Sequence, residues 1–148
     1  MNSDFKELLQ AFSEHDVEYM IVGGYAAIHY SQPRYTKDLD LWVRPTLDNA
    51  RKVAKAFTQF GLPMHDFTLD DLADTGFQFY IGVEPIAFDF LTSIKGLEFE
   101  EAWPNRQQSD QEGTPIWYLG KDDLIAAKQA CARPQDLSDI DEIRRADS

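Results

Sequence analysis

Two short stretches set aspartates among apolar side chains. In YTKDLDLWV, residues 35–43, Asp38 and Asp40 alternate with Leu39, Leu41 and Val43; in PIAFDFLT, residues 85–92, Asp89 is the one charged residue. Residues i and i+2 of a strand share a face, so the first two carboxyls stand with Cα atoms about 6.5 Å apart. If the second stretch is the neighbouring strand, about 4.8 Å away, all three carboxyls converge. Ionised carboxylates that close repel unless water or a cation separates them. Three carboxylates with no histidine or cysteine suit a hard divalent cation. Magnesium fits best, because it takes a few carboxylates and keeps positions for water and phosphate. Two such ions about 4 Å apart could share the Asp38 and Asp40 oxygens and clamp an in-line phosphoryl displacement. The plainer alternative is a solvated Asp-x-Asp at a strand end, with Asp89 paired to a lysine or arginine. Burying an unpaired carboxylate costs several kcal/mol, so a cation is required either way. The strand pattern leaves open whether it is a metal or a side chain.

MIVGGYAAIHY, residues 20–30, reads as strand, Gly23-Gly24, short helix. Glycines there let backbone N–H groups approach an anion at the positive end of a helix, as a triphosphate cradle would require. A tight turn is the simpler use of such a pair, and no lysine and Ser/Thr follow at P-loop spacing. Arg34, Thr36 and Lys37 flank the Asp-x-Asp strand. Thr36 shares the face of Asp38, and each of the three could meet a phosphate oxygen or simply charge a surface loop. In DDLIAAKQACA, Lys128 lies on one helical stripe with Leu124, Ala127 and Cys131. A lysine so placed must snorkel or find an acid. It reaches either a phosphate or Asp136 and Asp139 on the last helix, and Arg133 has the same two readings. His15, His29 and His65 show no metal-ligand spacing. Cys131 reads as a small buried hydrophobe, Glu98, Glu100 and Glu101 as a solvated face, and the three tryptophans as core.

These residues need positioning by a fold. The expected order is a helix from about Asp4 to His15 capped by Ser3 or Asp4, strand VEYMIV, helix YAAIHYS, and strand KDLDLWV. A helix from Thr46 as cap to Gly61 as stop follows, then weak helix signals at TLDDLAD. FQFYIG and PIAFDFLT form a hairpin around residues 82–85. FEEAW is a helical turn closed by Pro104, NRQQSDQEG a polar mobile loop, and TPIWYL a late strand. Two helices parted at Arg133-Pro134 close the chain. Helices alternate with strands early and a hairpin sits mid-chain, which indicates α+β with a mixed sheet of about four to five strands. The 148 residues suit a single domain, with a core at about 1–95 and a C-terminal strand and two helices at about 113–146. The formal net charge of −12 disfavours a long nucleic-acid footprint but permits a small phosphorylated ligand or one RNA end. One cysteine suits a reducing cytosol, so a cytoplasmic location is expected. No apolar run approaches the roughly 20 residues of a membrane helix.

The whole order (strand, Gly-Gly, short helix, Asp-x-Asp on a strand, distant Asp on another) resembles the DNA polymerase β-like nucleotidyltransferase superfamily. GGYAAIHYSQPRYTKDLDLWV carries the likeness most specifically, and DDLIAAKQACARPQDLSDI supports it. The likeness is greatest to the small bacterial branch with AbiEii-like toxins and minimal nucleotidyltransferases. It implies that Asp38 and Asp40 bind two Mg2+ ions, with Asp89 the third ligand and the group that helps deprotonate an attacking hydroxyl. Gly23, Gly24 and Lys128 would bind the phosphates of an NTP co-substrate. Many members have Gly-Ser where this chain has Gly23-Gly24, which weakens the expected phosphate grip. The implied reaction moves an NMP to an acceptor hydroxyl and releases pyrophosphate. The acceptor would be a tRNA end, a protein or a small molecule. The alternative is a catalytically inactive domain serving as an antitoxin or partner subunit in a toxin–antitoxin pair.

Overall fold

The computed structural model describes residues 2–62, 64, 67–83 and 86–147. The first helix, α1 (Ser3–Glu14), buries Phe5, Leu8, Leu9, Ala11 and Phe12, the i, i+3, i+4, i+7 stripe that makes a helix amphipathic. Its cap is Asn2, one residue before the expected Ser3 or Asp4; the Asn2 side chain accepts from the amides of Asp4 and Phe5. Strand β1 (Tyr19–Val22) is buried throughout and leads without a linker into α2 (Gly23–His29). Strand β2 (Leu39–Val43) begins one residue after Asp38, so that aspartate sits at the strand's mouth. Helix α3 (Leu47–Phe60) has the expected Thr46 cap and a Gly61 stop in the left-handed region, φ 95°. A short α4 (Leu69–Ala73) starts from a Thr68–Asp71 capping box.

Strands β3 (Gln78–Val83) and β4 (Ile86–Leu91) form the mid-chain hairpin. Its turn residues 84 and 85, like His65, lie outside the described residues. Helix α5 (Phe99–Ala102) runs into a 3-10 turn over Trp103–Asn105, so Pro104 lies inside that turn and does not end the helix. The polar stretch expected to be a mobile loop is instead strand β5 (Gln107–Gln111), paired with β6 (Thr114–Tyr118). Glu112 and Gly113, at φ 52° and 91°, make the two-residue turn between them. Helices α6 (Lys121–Cys131) and α7 (Pro134–Ala146) complete the chain.

The sheet has six strands in the order β3-β4-β2-β1-β6-β5, one more than expected because β5 is polar and lies at an edge. Pairing is antiparallel for β1/β2 and both hairpins, and parallel for β1/β6 and β2/β4. The β2/β4 register sets Leu39 beside Phe88 and Leu41 beside Phe90 on one face. There α1 and α3 cover them: the ring of Phe5 packs tilted against Phe88 with centroids 5.1 Å apart, and that of Phe57 packs edge-on against Phe90 at 4.9 Å. Each such buried phenylalanine stabilises the fold by about 2–3 kcal/mol. The opposite face of the same strands is left to the carboxylates.

Candidate active site

Period-two alternation and the β2/β4 register place the aspartates together. Asp40 lies directly beside Asp89 across the parallel pair, and Asp38 is two residues upstream on the same side. All three line a cleft of about 660 Å³, together with Gly23, Gln78 and, from α6 and α7, Lys128 and Asp136. The Asp40 carboxyl is pushed up to about 7, first by burial and then by the charges of Asp89 and Asp38, against the pull of Lys128 and Arg133. Burial also raises Asp89, with Asp38 adding to it and a hydrogen bond from Gln78 opposing. Asp38 Oδ1 is buried with no hydrogen-bond partner.

Gln78 was not legible as a site residue. Its Nε2 donates to both oxygens of Asp89, at 3.0 and 2.9 Å. The sequence expectation of a lysine or arginine partner for Asp89 is therefore replaced by a neutral amide. The only signal was a polar residue opening an aromatic strand. Among the described residues, no three His, Cys, Asp or Glu side chains are arranged around one point as an ion would need. Asp89 is instead held by Gln78. The donor set itself fits a hard divalent cation: all oxygen, one oxygen orphaned in the interior, and like charges raising the pKa of Asp40 and Asp89.

Gly23 has φ 68°, in the left-handed region. A Cβ there would overlap Asp40 Oδ2, so only glycine brings the backbone against that carboxyl. Gly24 is excluded from carrying a side chain for another reason. A Cβ on it would stand 2.5 Å from Thr36 Oγ1 and 3.3 Å from a terminal nitrogen of Arg34. The space that a serine would fill is occupied by Thr36; Gly24, Arg34 and Thr36, each a candidate phosphate contact, stand together beside the cleft and do not line it. Lys37 is exposed on the same loop.

Lys128 has the acid partners of one reading and a place on the cleft wall. It is 6% exposed, lines the cleft, and donates to Asp139 at 2.9 Å with Asp136 at 3.6 Å. Arg34 reaches the same Asp139 oxygen at 3.1 Å, and Arg133 binds Asp136 at 2.7 Å. Burial works against ionising Asp136, yet the Arg133 hydrogen bonds and the charges of Arg133 and Lys128 hold its carboxyl below the usual range. One expectation fails here. Cys131 is exposed, because it ends α6 at the cleft wall and not under the core. His29 is packed, stacked on Tyr118 at 4.0 Å, and burial lowers its pKa.

The sequence matches, over residues 2–146, a family described as nucleotidyltransferase of unknown function (DUF6036), and the chain belongs to it. No curated protein sequence matches the chain. Solved structures share the fold. The antibiotic-resistance factor ANT(2'')-Ia in solution is 18% identical with a TM-score of 0.62, over 97% of this chain and 80% of that one. The same factor in complex with adenylyl-2''-tobramycin is 16% identical with a TM-score of 0.59, over 97% and 87%. The Thermotoga maritima protein TM1012 is 14% identical with a TM-score of 0.58, over 95% and 88%. The narrower likeness to AbiEii-like toxins rests on the sequence motif alone.

Proposed function

We propose that this chain transfers an NMP from an NTP to an acceptor hydroxyl. The observation that carries the reading is the register of β2 and β4, which sets Asp40 beside Asp89 with Asp38 upstream on one open face. Asp38 and Asp40 would hold two Mg2+ ions, with Asp89 as a third ligand once released by Gln78. When bound, the ions would neutralise charge on the triphosphate and the reacting oxygens. The N-terminus of β1–α2 at Gly23-Gly24 would seat the phosphates, with Arg34, Thr36, Lys37 and Lys128 as the candidate donors. The acceptor oxygen attacks the α-phosphorus, forming one P–O bond. The bond to the bridging α–β oxygen breaks, and its electron pair leaves on pyrophosphate. The hydroxyl proton passes to the Asp89 carboxylate. The remaining contribution of the protein is positioning and fixed charge.

The acceptor classes are a tRNA end, a protein side chain and a small molecule; the fold neighbour solved with adenylyl-2''-tobramycin supports the last. The single cysteine suits the cytoplasm. The Gln78 clasp on Asp89 favours one second reading, a catalytically silent module serving as an antitoxin or partner subunit. Calorimetry with ATP, with magnesium and with EDTA, and transfer of label from α-labelled NTPs separate the two. The transferase reading expects binding only with magnesium, followed by label transfer and pyrophosphate release. Metal-dependent binding with no transfer to RNA, protein or small-molecule pools would establish the silent module instead.

A further inference from the structure

A second cleft, of about 670 Å³, opens where β2 and β4 end. It shares Ser93 and Ile94 with the carboxylate cleft, so the two adjoin at those residues. Its volume falls within the roughly 300–1,000 Å³ of small-molecule sites. Trp42 and Phe99 form its apolar base, with ring centroids 5.1 Å apart. The Trp42 Nε1–H is buried with no acceptor, on a side chain from a residue only 1% exposed. Glu98, Glu100 and Glu101 line the opening and are exposed. Among the described lining residues the single cation is Arg44, which is committed to Glu18 and Glu100. Glu98 and Glu101 therefore present carboxylates to a cleft whose one described wall cation is bound to other acids.

Resting on the transferase reading, we propose that this second cleft is the acceptor subsite and that it takes a hydroxyl-bearing polyamine. Asp89, Leu91 and Ser93 follow one another along one side of the chain and all line the first cleft. At about 3.3 Å per residue, Ser93 stands up to roughly 13 Å from Asp89. An acceptor whose hydroxyl reaches Asp89 while its amines meet Glu98 and Glu101, which follow Ser93 in the chain, must span a distance of that order. A single short amino alcohol is too small; an extended chain or linked rings bearing several ammonium groups fits. Carboxylates accept charge-assisted hydrogen bonds from ammonium groups, and a neutral sugar or an anionic RNA end would gain nothing from this wall.

The test uses the full chain and spermine as probe, by calorimetry at about 0.15 M salt, where distant charges are screened. Glu98→Gln/Glu101→Gln is the cleft variant. Glu98 caps α5 without a side-chain hydrogen bond, so the fold does not depend on its charge. Glu7→Gln/Asp122→Asn removes the same charge elsewhere. We expect the cleft variant to bind spermine about tenfold more weakly than wild type and the control to change less than about twofold. Equal weakening in both variants, or no spermine binding by wild type, overturns the proposal. A parallel Mg-ATP titration separates the two readings. If Mg-ATP binds normally and the spermine difference is missing, the acceptor assignment alone falls. If the spermine difference stands and Mg-ATP does not bind, the transferase reading falls and takes the acceptor role with it.

Discussion

Replacing Asp40 with asparagine removes a charge while nearly preserving shape, and its effect on stability can be worked out from the site. The folded protein holds this carboxyl at about 7, against an ordinary value of 3.8. Between those values the folded chain keeps its proton while the unfolded chain releases it, so folding loses free energy as pH rises from about 4 to 7. Above pH 7 the loss is complete. The difference corresponds to as much as ~4 kcal/mol, and relaxation of Asp89 and Asp38 reduces it to about 2–3 kcal/mol. Asp40→Asn should therefore be the more stable protein at pH 8 in EDTA by about 2 kcal/mol. The gap should close toward pH 4, where wild type is also neutral at this position. Urea denaturation at the two pH values measures both differences, and a transfer assay should show no turnover by the variant. Equal or lower stability of Asp40→Asn at pH 8, or a gain unchanged at pH 4, would refute the idea that this face is held under electrostatic strain. Full transfer activity would refute the site.

The opposite sign is expected at Lys128. Lys128→Met leaves Asp136 and Asp139 buried with one arginine each, and should cost about 3 kcal/mol in urea unfolding at pH 7; adding Asp139→Asn should restore part of it. Gly23→Ala forces a side chain into the left-handed region and against Asp40. It should cost about 1–3 kcal/mol and weaken Mg-ATP binding at least tenfold by calorimetry, the strain and the displaced carboxyl acting together.

What could be read from the residues was whatever a period or a rigid local rule encodes. The α1 and α3 stripes, the Thr46 cap, the Gly61 stop and the two hairpin strands at 78–91 all follow from local pattern. Placing Asp38, Asp40 and Asp89 on one face needed one further assumption, that β4 lies beside β2, and the sheet order supplies it. Strand β5 escaped because QQSDQ has no apolar alternation; only its pairing with β6 and a two-residue turn hold it in the sheet. Gln78 escaped because its role is set across the hairpin, not along the strand. Cys131 was misjudged because a helical stripe tells which side a residue lies on, not where the neighbouring element ends. Lys128 could not be divided between acid and phosphate, because it sits where its acids and the cleft meet.

That meeting point decides how the site would treat a nucleotide. Arg34, Lys128 and Arg133 are three of its cations, and each is already bound to Asp136 or Asp139. With Lys95, which also lines the cleft, they face five carboxylates, those two plus Asp38, Asp40 and Asp89, so the formal balance is one charge negative. A triphosphate approaching it alone would be repelled, and the −12 net charge of the chain adds to this. Two divalent ions would reverse the balance to a positive one. Metal and nucleotide are then thermodynamically linked: each favours the other by the charge it brings, and neither gains much alone. The α6–α7 cations do not substitute for ions because their charge is spent on α7. What they do is hold Asp136 ionised, pair Asp139 and keep the cleft wall fixed, so that the negative face opposite is the part left to change when a ligand arrives.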